Sequence, residues 1–212
     1  MLENYLNKIR LKSRSHKFNQ MIEFLKPTSK DKFLEVGVAD KEYSPVDNFF
    51  IKNYPWRENI TALGLGNLLE FKANYPDISV YSYAGGVFPF PDKAFEIAHA
   101  NAVIEHVGDF NQQKYFLSEM MRVAQRGMIT TTNKYFPVEI HTRILFIHWF
   151  SKRIFDGFLK VIGKDWAAGD YMYLLGLRDI NKLVENMNIK KCVLLKNRFL
   201  GVTATFSLIW YK

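Results

Sequence analysis

Short apolar runs bounded by turn residues alternate along this chain with segments in which apolar residues recur at helical spacing. This order limits the fold more than any other feature, because it is typical of βαβ units and a mainly parallel sheet. The runs predict strands at residues 33–38, 60–65, 78–81, 97–103 and 127–132. Two further runs, near residues 191–195 and 203–211, have no helix between them and must pair as a hairpin.

Helix signals lie between these strands. Residues 44–47 read Ser-Pro-Val-Asp, which places a serine at an N-cap, a proline at the first helical position and an acid three residues later, and predicts a helix to about residue 54. Apolar residues at i, i+3, i+4 and i+7 over residues 117–124 predict another helix. We therefore predict an α/β, Rossmann-like fold with a seven-stranded, mainly parallel sheet, helices on both faces and an antiparallel C-terminal strand.

The length of 212 residues fits one domain with a sizeable core. We predict a single domain over residues 1–212, with an N-terminal helix at 1–26. Between about 139 and 166, aromatic and basic residues interrupt the strand–helix alternation. This segment is predicted to form an inserted helical cap.

The chain carries a formal net charge of +8, and six bases face two acids in its first 26 residues. Such a balance favours anionic partners such as nucleic acid, acidic headgroups or an anionic substrate, without choosing among them. A solvated helical face is the commoner explanation of the N-terminal bases. The 48% hydrophobic content excludes a disordered chain.

Cys192 is the single cysteine, which excludes an internal disulfide framework and a thiolate zinc cluster. No apolar run approaches the roughly 18 residues that a membrane-spanning helix needs. The first residues include an early acid and lack the apolar core of a secretory signal. We expect a cytoplasmic protein without a transmembrane segment, for which peripheral membrane contact stays open.

Three motifs carry a resemblance to a known family. The first motif, at residues 33–40, reads Phe-Leu-Glu-Val-Gly-Val-Ala-Asp. The second, at residues 87–97, reads Val-Phe-Pro-Phe-Pro-Asp-Lys-Ala-Phe-Glu-Ile and leads into Asn-Ala-Val-Ile-Glu-His-Val at 101–107. The third, at residues 130–142, reads Thr-Thr-Thr-Asn-Lys-Tyr-Phe-Pro-Val-Glu-Ile-His-Thr. Over about residues 33–149 the chain resembles the class I S-adenosylmethionine-dependent methyltransferases, particularly the branch called methyltransferase domain type eleven. The resemblance implies S-adenosylmethionine as the cofactor and methyl transfer as the activity.

The cofactor residues are placed by this resemblance. Ligands of open α/β sheets bind beyond the carboxyl ends of the strands, where Gly37 would let the backbone approach without a Cβ clash. Glu35 would accept from, or orient, the methionine end of the cofactor. A tight strand-to-helix turn without a ligand is the alternative. The predicted cofactor contacts are Glu35, Gly37, Val38, Asp40, Leu65, Gly66, Asn67, Gly85 and Asn101.

The chain departs from the family at two positions. Members usually carry an acid after the second strand, where it accepts both ribose hydroxyls, but Gly66 and Asn67 stand here. Ala84 precedes Gly85 where relatives commonly place an aspartate for the adenine amino group. Each lost hydrogen bond costs about 1–3 kcal/mol, so two would weaken binding roughly 30- to 20,000-fold. A degenerate methyltransferase fold with a binding or scaffold role is therefore the alternative function.

His106 is the first candidate for a catalytic base, because it follows the fourth predicted strand and an imidazole titrates near neutral pH. Glu105 would orient His106 or hold a substrate hydroxyl, and His141, just beyond the fifth strand, is a further catalytic candidate. Each of these three also has a structural interpretation, as a cap or packing residue. No third ligand stands at metal-site spacing, so no metal centre is predicted.

The predicted cap suggests the acceptor. Its aromatic residues would line an apolar pocket and its bases would meet a phosphate or headgroup, although helix-spaced aromatics also suit a core. The predicted acceptor is a small molecule, or a lipid- or glycan-linked precursor. RNA modification ranks last, because only the net charge suggests nucleic acid and no dedicated motif is present. The oligomeric state is left open by the sequence.

Overall fold

The computed structural model describes residues 2–212. Its α-helices are α1 (Leu2–Leu25), α2 (Phe49–Asn53), α3 (Leu69–Asn74), α4 (Phe110–Val123), α5 (Lys152–Val161) and α6 (Leu177–Val184). Its strands are β1 (Phe33–Val36), β2 (Ile60–Leu65), β3 (Ser79–Tyr83), β4 (Phe95–Asn101), β5 (Ala124–Thr132), β6 (Val138–Glu139), β7 (Ile144–Leu145), β8 (Lys191–Phe199) and β9 (Val202–Tyr211).

Seven strands form one sheet in the order β3-β2-β1-β4-β5-β9-β8, and β6 and β7 form a separate two-stranded antiparallel ribbon. The main sheet is mostly parallel, with one antiparallel strand pair at the C-terminal end. This architecture confirms the predicted Rossmann-like α/β fold. Within the described residues, no helix has both the length and the apolar character needed to cross a membrane.

The chain divides into two compact units. The first unit comprises the residues up to Ala100, with 120–128 and 211–212. Its central strand is β1, whose four residues are all buried and which pairs in parallel with β2 and with β4. Continuous apolar character is expected of a strand covered on both faces. Phe33 of β1 stacks on Phe50 of α2 with ring centroids 4.6 Å apart, so this short helix covers the strand.

The second unit comprises residues 101–119 and 129–210. It holds its own apolar cluster, in which Phe155 and Leu159 of α5 pack with Ala167 and Met172. The segment predicted as a helical cap, residues 139–166, contains the ribbon strand β7 and the helix α5. This segment therefore contains part of the two-stranded ribbon as well as one α-helix.

One predicted helix start differs from the structure. The Ser-Pro-Val-Asp segment forms a turn, and α2 begins only at Phe49. The Oδ2 atom of Asp47 accepts hydrogen bonds from the backbone N–H groups of Tyr43 and Ser44, both at 2.8 Å. The bond from Ser44 is the one that a capping box makes, but Asn48 adopts the left-handed conformation with φ 48°, which interrupts the helical path before Phe49.

Candidate functional site

Glycines with left-handed backbone end three neighbouring parallel strands of the first unit. Gly37 follows β1 with φ 87°, Gly66 follows β2 with φ 76°, and Gly85 and Gly86 follow β3 with φ 91° and 78°. Only glycine adopts this conformation readily. A Cβ added at Gly66, Gly85 or Gly86 would meet no atom within 4 Å. These strand ends therefore present bare backbone next to open space, and we call them the glycine edge.

The loop after β1 is held close to β2. The Gly37 N–H donates to the Leu63 carbonyl oxygen at 2.8 Å. At Gly64, an added Cβ would lie 2.9 Å from the Val38 carbonyl oxygen and 3.1 Å from the Leu68 side chain. Gly64 therefore sets the position of Val38, a predicted cofactor contact. Our sequence analysis missed this role, although a glycine inside a predicted strand signals such a close approach.

The acids beside the glycine edge already have protein partners. Oδ1 of Asp40 accepts from the N–H groups of Glu70 and Phe71, at 2.8 and 3.1 Å, and so caps the start of α3. The Glu70 carboxylate pairs with Lys41 at 3.1 Å. Asn67 is exposed, and Leu65 is 64% exposed. The β2 end thus offers an apolar side chain and an amide in place of the carboxylate that the resemblance predicts.

Glu35, a predicted cofactor contact in the middle of β1, is buried against His99 of β4. Its Oε2 atom lies 2.6 Å from Nδ1 of His99, a histidine to which the sequence analysis gave no role. Burial raises the pKa of the Glu35 carboxyl above its ordinary value, and His99 only partly offsets this effect. Glu35 therefore acts in part as a structural residue.

We expect Glu35→Gln to stabilise the protein at neutral pH, because glutamine keeps an acceptor for His99 without a buried charge. A raised folded-state pKa means that wild-type stability falls as the pH rises through that pKa, and this slope should disappear in the variant. Thermal unfolding measures the effect, at about 2–4 °C for each kcal/mol. The exposed control Glu185→Gln should change little. A lower melting temperature for Glu35→Gln would contradict the burial argument.

In the second unit, Asn101 at the end of β4 has one unsatisfied amide atom. Its Oδ1 atom accepts from Oγ1 of Thr130 at 2.7 Å. Its Nδ2 atom is buried and has no hydrogen-bond partner among the described residues. A buried unpaired donor is costly, so it points to a group that the chain itself does not supply.

Glu105 is fully buried and bonded to the end of β5. Its carboxylate accepts from the hydroxyls of Thr131 and Thr132, at 2.9 and 3.3 Å. Its backbone carbonyl oxygen accepts from the Tyr173 N–H at 2.7 Å. The Glu105 side chain thus belongs to a hydrogen-bonded cluster with these two threonines.

His106 and His141, both predicted as catalytic candidates, lie edge to face with ring centroids 5.0 Å apart. Nδ1 of His106 is 2.8 Å from the Tyr171 carbonyl oxygen. Because a carbonyl only accepts, this Nδ1 carries a proton, and in the neutral ring Nε2 holds the lone pair. The Tyr171 ring packs on His106 at 5.1 Å and on Trp166 at 5.3 Å. His106 and His141 therefore form an imidazole pair, and the rings of Tyr171 and Trp166 pack beside it.

Glu139 orients the second imidazole. Its Oε1 atom lies 2.7 Å from Nδ1 of His141, and Oε2 accepts from the Thr142 N–H and hydroxyl at 2.6 and 2.5 Å. Burial alone would raise the pKa of this carboxyl, but the hydrogen bonds from His141 and Thr142 outweigh it and lower the pKa to about 2. Glu139 is therefore ionised at neutral pH and holds the proton of His141 on Nδ1.

The structure brings the predicted residues together in two groups. Leu65, Gly66, Asn67 and Gly85 share the glycine edge, and His106 and His141 share the imidazole pair. Sequence reasoning missed Glu139 and Tyr171 as partners of that pair. The Glu-x-His spacing signals the first, whereas Tyr171 stands 65 positions from His106 without a local signal. No cluster of three or more His, Cys, Asp or Glu side chains in the described part of the chain is arranged to hold a metal ion.

The fold of the whole chain is similar to that of several solved structures. The chain aligns with a methyltransferase dependent on S-adenosylmethionine from Thermotoga maritima at 12% identity and a TM-score of 0.61, covering 99% of this chain and 95% of that one. The fold is that of the class I methyltransferases. YcgJ from Bacillus subtilis gives a TM-score of 0.55 at 10% identity over 93% of this chain and 96% of its own. PigF, solved with S-adenosylhomocysteine, gives 0.54 at 13% identity over 89% of this chain and 53% of its own.

Sequence comparison adds no relative. No protein-family model matches the chain, and no curated protein matches it. At identities of 10–13%, the solved structures show the shared fold alone.

Proposed function

We propose that this protein is a methyltransferase of the type-eleven branch that uses S-adenosylmethionine and methylates a small molecule or a lipid- or glycan-linked precursor. The glycine edge carries this proposal. In a methyltransferase fold, open backbone at the carboxyl ends of β1, β2 and β3 is where an adenosyl group would lie. Gly66, Gly85 and Gly86 are exposed, and no side chain lies within 4 Å of a Cβ added there, so their backbone is accessible to a ligand.

The side chains beside the glycine edge have the chemical character that the cofactor requires. The exposed Leu65 offers an apolar face for the adenine ring, and Asn67 offers an amide to the ribose. Within the second unit taken by itself, the unpaired Nδ2 of Asn101 is a donor for a carboxylate or hydroxyl oxygen. S-adenosylmethionine supplies an electrophilic methyl group when it is bound.

The imidazole pair would remove the proton of the acceptor. With Nδ1 of His106 donating to Tyr171 and Nδ1 of His141 facing Glu139, both rings direct their basic Nε2 atoms away from these partners. A neutral imidazole of this tautomer can accept a proton from a hydroxyl or ammonium group near neutral pH. The aromatic rings of Tyr171 and Trp166 would exclude water from one side of the acceptor.

Titration calorimetry with S-adenosylmethionine and S-adenosylhomocysteine tests the cofactor proposal. We expect saturable binding of both ligands, and about tenfold weaker binding for Leu65→Ser, because the adenine loses an apolar contact. Leu200→Ser is a matched control, since Leu200 is 87% exposed in the β8–β9 turn and should leave the affinity unchanged. Equal binding by wild type and Leu65→Ser would remove Leu65 from the site.

A scaffold role is the second candidate. It is favoured by the missing carboxylate after β2 and by the engagement of Asp40 and Glu70 with other protein groups. Absence of heat and of thermal shift with either ligand at millimolar concentration would support this role and overturn the enzyme proposal.

A further inference from the structure

The core covers only part of the apolar side of helix α5. Phe155 and Leu159, four residues apart, are buried with Ala167 and Met172. Ile154, Phe158 and Val161, at i, i+4 and i+7, form a stripe that adjoins these buried residues on the same side of the helix. Ile154 is 54% exposed and Val161 is 85% exposed. The stripe is therefore an apolar edge that this chain leaves uncovered.

Exposed aromatic and aliphatic side chains also precede and follow α5 in the chain. The short turns Ile147–Trp149 and Asp165–Ala167 both pack against the helix. Trp149 and Phe150 precede α5, and Trp166 follows it, all at least 40% exposed. The α5 surface is defined by Leu145, Phe146, Trp149, Phe150, Ile154, Val161, Ile162 and Trp166. Large exposed apolar groups at this density mark an interaction surface.

Basic side chains flank the α5 surface. Arg153 and Lys160 are exposed and lie seven residues apart, two turns along α5 and beside the Ile154–Val161 stripe. Residues 143–166 contain five bases and two acids. One of these acids, Asp156, is neutralised by Lys152 at 2.6 Å, which leaves Asp165 as the exposed acid of the segment. The charge next to the apolar stripe is therefore positive.

We propose that the α5 surface docks on an anionic lipid bilayer, with α5 lying in the plane of the interface. An apolar stripe with flanking lysine and arginine and with tryptophan at the edges is the composition of an interfacial helix. The aliphatic and aromatic groups enter the acyl boundary, and Arg153 and Lys160 meet the phosphate groups. Docking is independent of methyl transfer and requires no cofactor.

This docking would also serve a lipid-linked acceptor. Trp166 belongs to the α5 surface and its ring contacts Tyr171, whose ring contacts His106. A headgroup bound at the interface near Trp166 would thus lie close to the imidazole pair of the second unit.

Vesicle flotation tests the proposal with the full chain and no added cofactor. Wild type should float with vesicles of phosphatidylcholine containing phosphatidylglycerol, and bind pure phosphatidylcholine more weakly. The double variant Ile154→Ser/Val161→Ser should bind the anionic vesicles about tenfold or more weakly. Arg153→Gln and Lys160→Gln should each lower binding about fivefold, with a smaller loss at high salt. Leu200→Ser, which removes an equally exposed aliphatic group elsewhere, should bind like wild type.

Three results would overturn the proposal. One is the absence of wild-type flotation with anionic vesicles. Another is equal flotation of wild type and Ile154→Ser/Val161→Ser, with thermal unfolding verifying that both are folded. The third is self-association of wild type in sedimentation velocity that this double variant abolishes, because a second copy of the chain would then cover the surface. Since cofactor binding is measured separately, failure here leaves the enzyme proposal intact.

Discussion

Replacing Glu139 with glutamine should destabilise the protein at neutral pH by about 3 kcal/mol, the value that corresponds to lowering a carboxyl pKa from 4.5 to about 2 on folding. The carboxylate accepts from the N–H groups of His141 and Thr142, the His141 ring and the Thr142 hydroxyl. Glutamine has one acceptor oxygen and turns an NH2 group toward two of these donors. Urea unfolding at pH 7 measures the loss.

The pH dependence distinguishes this mechanism from simple loss of packing. The pKa of Glu139 is depressed in the folded state, so its contribution is present above about pH 4.5 and is lost as the pH falls toward 2. Wild type should therefore lose more stability than Glu139→Gln across this window. Glu185→Gln, an exposed control, should stay within about 0.5 kcal/mol of wild type. Parallel curves for wild type and Glu139→Gln would contradict the assignment.

The same substitution should also affect chemistry if His141 takes part. Nitrogen-15 spectra of the imidazole should show the Nδ1–H tautomer of His141 in wild type and a mixture of tautomers in Glu139→Gln. General-base catalysis contributes about 10²–10⁴ in rate, so kcat should fall within that range once an acceptor is assayed. An unchanged kcat with an altered tautomer would leave His106 as the only candidate base of the pair.

Gly64→Ala should displace the loop after β1. The added methyl would lie 2.9 Å from the Val38 carbonyl oxygen and 3.1 Å from both Leu68 and the Val38 side chain, closer than atoms tolerate without movement. We expect a cost of about 1–3 kcal/mol in unfolding free energy. The affinity for S-adenosylmethionine should also fall, by about tenfold for each 1.4 kcal/mol of binding free energy that is lost when Val38 is displaced.

Gly157→Ala provides the matched control. Gly157 lies within α5, and a Cβ there meets nothing within 4 Å. This substitution should be neutral, or stabilise the helix by about 0.5–1 kcal/mol, because alanine restricts the unfolded chain. Equal unfolding free energies for Gly64→Ala and Gly157→Ala would show that the loop yields to the methyl at no cost.

The sheet was predictable because its signal is local. Each buried parallel strand is a short apolar run, so β1, β2 and β4 could be located to within a few residues. The helix start at Ser44 could not be judged in this way, since the Ser-Pro-Val-Asp pattern suits a turn as well as a cap. The left-handed backbone of Asn48, with φ 48°, decides the outcome, because it separates the turn from α2.

In the candidate site, the sequence could predict only the positions of residues that follow directly after strands. His106 follows β4 and His141 follows the ribbon strand β6, and their ring centroids lie 5.0 Å apart. Tyr171 reaches them from the distant segment after α5, and no periodicity indicates that approach. The pairing of Glu35 with His99 joins adjacent strands β1 and β4, an adjacency that depends on strand order and is therefore not visible in either strand alone.

The glycine edge has a consequence for cofactor selectivity. Peptide N–H and C=O groups keep the same hydrogen-bonding character whatever residues surround them, so an edge of this kind discriminates poorly between related nucleosides. Under the proposed function, preference for one base or sugar over another must come from the few side chains beside it, chiefly Leu65 and Asn67. Substitutions at Leu65 and Asn67 are therefore the most direct way to make the protein accept synthetic analogues of the cofactor.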